Sequence, residues 1–281
     1  MNIKITSDST CDLSAEILQE YDISIVPLYV EKGGEMFRDG VNIKPEDIFN
    51  HVSNGGSICS TAAANIADYT SFFEQYIDKY DAIIHINIGS GFSSCYQNAC
   101  IAAQKFNNVY VVDSKNLSSG QGHVVVEAAI KVLEGISAEK IIEHLNNIIP
   151  KVRASFLLDR LDYMAKGGRC SSIVALGSNL LKIKPCIEVV DGKMVVGKKY
   201  RGPLKKCLLQ YLEDKLSAPE RIIPERAFIT HTAFLDKETL DEIKNAVNQK
   251  VIFNDVYETD AGCTITCHCG QNTLGILFIE K

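Results

Sequence analysis

A two-domain α/β protein is predicted, with an N-terminal three-layer domain on a parallel sheet and a C-terminal α+β domain on a largely antiparallel one. Three observations carry this reading. Strand and helix patterns alternate from Ile3 to about residue 150, as in successive β-α-β units. Beyond Pro150 the alternation gives way to neighbouring strand runs, with a hairpin signal at Asp191-Gly192. Three strand ends in the first half carry small polar groups, at Asp8-Ser9, at residues 89–93 and at Asp113-Ser114. Open parallel sheets gather their ligands outside such carboxyl ends. The domains are expected at residues 1–152 and 153–281.

In chain order, residues 3–6 form a short alternating strand. Leu13, Ile17, Leu18 and Tyr21 then mark a helix face, with Asp12 or Ser14 as its cap. Residues 23–30 form a second strand that Pro27 interrupts, as suits an edge or a bulge. A Gly33-Gly34 turn leads to an extended segment over residues 36–41. Pro45 fits the first turn of a helix, which Gly55-Gly56 ends. Residues 58–64 are small and uncharged. Tyr69, Phe72, Phe73, Tyr76 and Tyr80 recur at helical spacing and read as a core-facing stripe. A buried strand over 82–88 follows, then a helix with Ala99, Ala102, Ala103 and Phe106, then a strand over 109–112. Two helices close this half, one with Val124, Val125, Ala128 and Leu133. The other has Ile141, Leu145 and Ile148, with Ser137 as its cap.

The second half opens with a strand over 154–158 and a short helix over 161–166 that Gly167-Gly168 ends. An apolar helix over 171–181 comes next, then the hairpin of residues 187–190 and 194–196. Leu204, Leu208, Leu209 and Leu212 mark a helix. A strand over 227–232, a helix over 236–249 and strands over 251–257, 264–267 and 274–279 complete the chain. Helices are expected on one face of this sheet.

Composition narrows the function classes. A chain of 281 residues with 46% hydrophobic and 23% charged residues is an ordinary globular sequence with enough length for a large core. Its net charge of −6 and lack of a basic stripe argue against gripping a nucleic-acid backbone. No apolar run approaches the roughly 18 residues of a spanning helix, and the apolar stretch before Asp8 is too short for a secretory signal. A cytoplasmic protein without stable membrane insertion is expected. The ten cysteines then read as reduced thiols, many of them small core residues such as Cys100 and Cys207.

The chemistry centres on Gly89-Ser90-Gly91-Phe92-Ser93, a tight loop between a buried strand and a helix. Glycines allow close backbone approach, free N–H groups of a first helical turn favour an anion, and serines add hydroxyl donors. The loop reads either as an anion site near Ser93 or as a plain serine-capped turn. It is not a dinucleotide fingerprint, because Ser94 stands where the third glycine belongs, and no P-loop occurs. His268 is placed at a strand end before Gly270, where an imidazole binds an anion, exchanges a proton or orients a hydroxyl. His231 invites the same readings. Cys263, Cys267 and Cys269 around His268 suggest zinc, but the second ligand pair of a structural site is missing. No cofactor is expected. Arg169, after two glycines, is a candidate for an anion or for tying a loop; Lys184 and Arg201 add basic character. Asp8, Asp12 and Asp113 offer carboxylates without a defined pairing.

The chain resembles the DegV family of bacterial fatty-acid-binding proteins from end to end. The matching pieces are residues 6–13 (Thr-Ser-Asp-Ser-Thr-Cys-Asp-Leu), 90–97 (Ser-Gly-Phe-Ser-Ser-Cys-Tyr-Gln) and 112–115 (Val-Asp-Ser-Lys). Further on come Gly167-Gly168-Arg169, residues 181–185 (Leu-Lys-Ile-Lys-Pro), Arg201-Gly202 and His268-Cys269-Gly270. The resemblance implies one long-chain fatty acid as ligand. Hydroxyls from two N-terminal loops hold its carboxylate near a late histidine, and no catalytic machinery is present. In some members a separate ATP-dependent kinase phosphorylates the bound carboxylate for phospholipid synthesis. By this match Ser93 and Thr61 supply the hydroxyls, with Ser60 as the alternative register, and His268 the imidazole. Arg169, Lys184 and Arg201 become candidate partner or phosphate contacts. Ala62-Ala63-Ala64 replaces the family's usual Ser-Gln-Pro, and Gln271 stands where a proline usually follows the glycine. An enzyme acting on a small phosphorylated or carboxylated metabolite, or a regulatory interaction protein, is the competing reading.

Overall fold

The computed structural model describes residues 1–174, 183–233 and 235–281. In the first half β1 (Ile3–Asp8), α1 (Ala15–Glu20), β2 (Ser24–Val26), β3 (Tyr29–Lys32), β4 (Glu35–Arg38), α2 (Pro45–Ser53) and β5 (Ser60–Ala62) come first. They are followed by α3 (Ile66–Phe73), β6 (Ala82–Asn87), α4 (Cys95–Ala103), β7 (Val109–Asp113), α5 (Ser118–Leu133) and α6 (Ala138–Ile148). The second half starts with β8 (Val152–Leu157), α7 (Asp162–Gly167), α8 (Ser171–Val174), β9 (Ile183–Val190) and β10 (Lys193–Arg201). It continues with α9 (Leu204–Lys215), β11 (Ile222–His231), α10 (Lys237–Lys250), β12 (Asp255–Asp260), α11 (Cys263–Cys269) and β13 (Leu274–Glu280). Of the helix expected over 171–181, only the first four residues lie among those described.

The parallel sheet has strand order β2-β1-β6-β7. Its central strands β1 and β6 are buried at every position, as strands covered on both faces must be. The polar residues of β1 are therefore paired: Lys4 with Asp22 at 2.7 Å, Thr6 with His85 at 2.8 Å, and Ser7 donating to the Ile86 carbonyl at 2.7 Å. The second sheet runs β10-β9-β8-β13-β11-β12, antiparallel except for the parallel pair β11 and β12. Its hairpin turn places Asp191 and Gly192 at φ 50° and 73°, the geometry that the two-residue turn requires.

Residues alternate across this second sheet with period two. Ala227, Ile229, Ile276 and Phe278 face Leu208, Leu212, Ile243 and Val247 of α9 and α10. Phe228, Leu277 and Ile279 face the other way, into a core shared with Val124, Val125 and Ala128 of α5. So the sheet is covered on both faces, one cover coming from the first half of the chain, rather than carrying helices on one face alone.

Three expectations need correction. Residues 23–30 are not one interrupted strand: Pro27 separates β2, in the parallel sheet, from β3, in a small antiparallel sheet β4-β3-β5. The strand expected over 251–257 begins at Asp255, because Val251 and Phe253 are drawn into the α9–α10 core. Residues 264–267 are not a strand but the middle of α11. Thr264, Ile265 and Thr266 favour extended structure locally. The helix forms because two remote carboxylates accept its first N–H groups: Asp12 takes Gly262 at 2.8 Å, and Asp39 takes Cys263 at 2.8 Å and Thr264 at 3.0 Å.

Candidate functional site

A pocket with about 560 Å³ of space free of protein atoms, part of it open to solvent, lies against the loop that follows β6 and is walled by both halves of the chain. Leu28, Ile88 and Phe92 line it from one side, Phe156, Met194 and Ile265 from the other. Its polar side chains include Thr61, Ser93, Arg169 and His268. A second cavity of about 340 Å³ shares Leu117, Phe156, Ile265 and Cys269 with the first. Hydroxyls around this inner space are already engaged: Thr230 with Thr259 at 2.8 Å, Thr232 with the Gly270 carbonyl at 2.7 Å, Thr273 with the Cys269 carbonyl at 3.0 Å. His231 borders it with Nε2 3.1 Å from Glu258.

The Ser93 loop is pinned from several directions. The Gly89 N–H donates to the Asn116 carbonyl at 2.7 Å, and Asp113 accepts the Ser90 N–H at 3.0 Å and hydroxyl at 2.6 Å. Gly91 packs against the β9–β10 hairpin so closely that a Cβ would sit 2.3 Å from the Gly192 oxygen. Glycine is needed here for contact between the two halves, not for backbone conformation. Ser93 Oγ donates to Cys95 Sγ at 3.1 Å and accepts the Cys95 N–H at 3.3 Å.

Behind it runs a buried polar chain. The Cys95 thiol meets the Tyr69 hydroxyl, which accepts from Asn87 Nδ2 at 2.9 Å, and the same nitrogen lies 3.2 Å from Asp8. Asp8 also accepts the Ile88 N–H at 2.8 Å and Gln121 Nε2 at 3.1 Å. Burial pushes the Asp8 carboxyl above its ordinary range despite these bonds. Of the expected aromatic stripe, Tyr69 and Phe73 of α3 are core and Phe72 and Tyr76 pack against it, while Tyr80 lies beyond the helix and outside that core; the Tyr69 hydroxyl belongs to this network.

Thr61 sits in β5, opposite Val30 of β3, and its Oγ1 lies 2.9 Å from His268 Nε2. Ser60, its neighbour, points away to Glu31 at 3.1 Å and is exposed, so Thr61 is the hydroxyl that reaches the cavity. The half-buried His268 ring has its Nδ1 enclosed and unpartnered. A Cβ on Gly167 would stand 2.1 Å from that nitrogen. Desolvation first, and the nearby Arg169 charge second, lower the His268 pKa to about 4. The imidazole is thus neutral at neutral pH. With its proton on Nε2 it donates to Thr61 Oγ1, leaving the threonine proton free for an acceptor in the cavity.

Arg169 borders the cavity, donating from Nη1 to the Gly167 carbonyl at 2.7 Å. Lys184 and Arg201 do not join it. Lys184 is paired with Asp159, and Arg201 is an exposed residue at the end of β10, opposite Ile183. Asp12 and Asp39, which hold α11 and hence His268, were not singled out together by sequence because their partners lie more than half the chain away. Among the described residues no group of three or more His, Cys, Asp or Glu side chains is placed to hold a metal ion. No helix among them is long and apolar enough to cross a membrane.

Fold and cavity together define a class of α/β proteins in which a parallel and a mostly antiparallel sheet adjoin an apolar space lined by a few polar side chains. The chain matches the family described as "Uncharacterised protein, DegV family" over residues 2–281. It belongs to the DegV family. A DegV domain-containing protein of Clostridium acetobutylicum is 34% identical over 99% of each chain. Among solved structures, a fatty-acid-binding DegV family protein from Thermus thermophilus superposes with a TM-score of 0.89 at 25% identity, covering 100% of both chains. DegV of Bacillus subtilis, described as a fatty acid binding protein, gives 0.85 at 28% identity, again over 100% of both.

Proposed function

We propose that the protein binds one long-chain fatty acid and presents its carboxylate to a separate ATP-dependent fatty acid kinase, itself carrying out no chemistry. The observation that carries this reading is that the Thr61–His268 pair and Ser93 line the same mostly apolar cavity. Ligand cavities of this kind bury a tail in apolar walls and fix its orientation with a few polar groups. The fatty-acid binding of the Thermus thermophilus and Bacillus subtilis proteins supports it.

Each buried methylene contributes about 0.8 kcal/mol, so the tail supplies most of the affinity and the head group sets direction. Thr61 donates to the carboxylate, Ser93 does so by turning its hydroxyl proton away from Cys95 Sγ, and neutral His268 orients Thr61 from behind. Hydroxyls suit this because they hold an anion without adding a fixed charge to an apolar space. Arg169 is the basic group nearest the head and the one we assign to the incoming phosphate or kinase, with Lys184 and Arg201 on the docking surface. The domains meet near residue 152, and both contribute walls.

Mass spectrometry of lipid released from the denatured purified protein tests the binding. One fatty acid per chain is expected, and its absence together with no uptake of oleate or palmitate refutes it. For presentation, Arg169→Ala should slow phosphorylation by the cognate kinase more than it weakens oleate binding. Equal turnover by wild type and variant removes Arg169 from that role.

A further inference from the structure

Two thiols meet beside the Thr61–His268 contact. Cys59 precedes β5 by one residue, and Cys267 lies on α11 immediately before His268. Their side chains are neighbours, both buried in a small apolar cluster that includes Val30, Ile43, Ile48 and Cys263. Cys263, one turn earlier on the helix, directs its thiol to the Ile43 carbonyl at 3.3 Å. That leaves Cys59 and Cys267 facing each other, with both cysteines in the free form.

We propose that Cys59 and Cys267 are an oxidisable pair, closed by a hydroperoxide into a disulfide that ties β5 to α11 across the mouth of the head-group site. The order of attack follows from the surroundings. The Cys267 thiol favours a thiolate on Cys59 and outweighs the opposing burial and Glu31 charge, with a smaller favourable contribution from Lys32, while Cys59 itself and burial hold the Cys267 thiol up. The Cys59 thiolate therefore attacks a peroxide oxygen, breaks the O–O bond and becomes a sulfenic acid, releasing water from hydrogen peroxide. Cys267 sulfur then displaces the sulfenic hydroxyl, which leaves as a second water. Two thiols are oxidised and one peroxide is reduced to two waters.

The consequence reaches the ligand because the same two elements wall the cavity, β5 through Thr61 and Ala62 and α11 through Thr264, Ile265 and His268. A covalent tie fixes their separation, so a bound chain leaves more slowly. This second part rests on the fatty-acid reading, while the cross-link itself does not.

The test treats fully reduced protein with hydrogen peroxide, alkylates remaining thiols, and maps peptides by mass spectrometry. A Cys59–Cys267 linked peptide, lighter by two hydrogens than the reduced pair, is expected in wild type and absent in Cys59→Ser. Release of a fluorescent fatty acid should be several-fold slower from oxidised than from re-reduced wild type, with no such difference in Cys59→Ser. Alkylation of both cysteines after peroxide, or a Cys263–Cys267 link instead, overturns the pair. Linked protein that releases ligand as fast as reduced protein overturns the control of exchange. The peptide map needs no ligand, so a failure of the fatty-acid reading shows itself separately, as reduced protein that binds no fatty acid.

Discussion

Thr61→Val is the sharpest single change available in the head-group site. Valine keeps the shape of threonine and its place in β5 while removing the oxygen that stands 2.9 Å from His268 Nε2. Two costs follow. The carboxylate loses one charge-assisted hydrogen bond, worth roughly 1.5–3 kcal/mol, which is about a 10- to 150-fold weaker Kd. The unliganded protein also loses stability, because His268 Nε2 is left without its partner beside an Nδ1 that already has none; a stranded polar group of this kind costs about 1–3 kcal/mol. Ser93→Ala should give a similar affinity loss with less effect on stability, since the Cys95 N–H that it releases was held at a long 3.3 Å. Calorimetric titration with oleate, and in parallel with oleyl alcohol, reads the first cost; urea unfolding reads the second. The alcohol lacks the carboxylate, so the gap between wild type and variant should shrink sharply for it. Unchanged oleate affinity in both variants, or equal losses for acid and alcohol, refutes the clamp.

Gly167→Ala should push the His268 ring away, since the new Cβ would meet Nδ1 at 2.1 Å, and so weaken oleate binding in the same direction as Thr61→Val; an unaltered titration refutes that account of the glycine. His268 should titrate near pH 4 rather than at its ordinary 6.5, with the midpoint moving up in Arg169→Ala, as followed by imidazole carbon NMR. Because only the unfolded chain takes up that proton between pH 6.5 and 4, wild type should lose stability relative to His268→Gln as pH falls through that window and level off below it; parallel stability curves contradict the shift. Tyr211→Phe should lower stability by about 1–3 kcal/mol. It removes a buried hydroxyl that donates to the Ser155 carbonyl at 2.7 Å and accepts the Ile276 N–H at 3.0 Å, so a urea midpoint equal to wild type rejects it.

What could be read in the sequence divides along physical lines. Local patterns were legible: the apolar run of β6, the Asp191-Gly192 hairpin and Ser14 as one of two candidate caps of α1 are written in adjacent residues. Structure that depends on distant partners was not. The segment around Thr264 alternates like a strand, and only Asp12 and Asp39, far earlier in the chain, make it a helix. Pro27 was visible as an interruption, but nothing beside it says that the chain changes sheets there. The candidate site shows the same split. Ser93 stood out in its own loop, whereas Thr61 and His268 were linked only by resemblance to a family until the fold brought their side chains together. The network from Cys95 through Tyr69 and Asn87 to Asp8 draws on three separate stretches of chain, and no local pattern says that they meet. Lys184 and Arg201 shared the basic character of Arg169 but do not line the cavity.

Helix α5 has a consequence for how the molecule comes apart. Eleven of its sixteen residues are buried, and it touches β1 and β6 of one sheet and β8, β11 and β13 of the other. Gly122 lets it approach the chain around Cys11, where a Cβ would come within 2.8 Å of a backbone oxygen. A helix buried over most of its length between two sheets turns little of its surface to water, so neither sheet can let go of it without exposing an apolar side of the helix. Melting should then be a single event seen alike by probes in either half, and a fragment ending near residue 152 should carry the bare side of α5 into solution as a surface that self-associates.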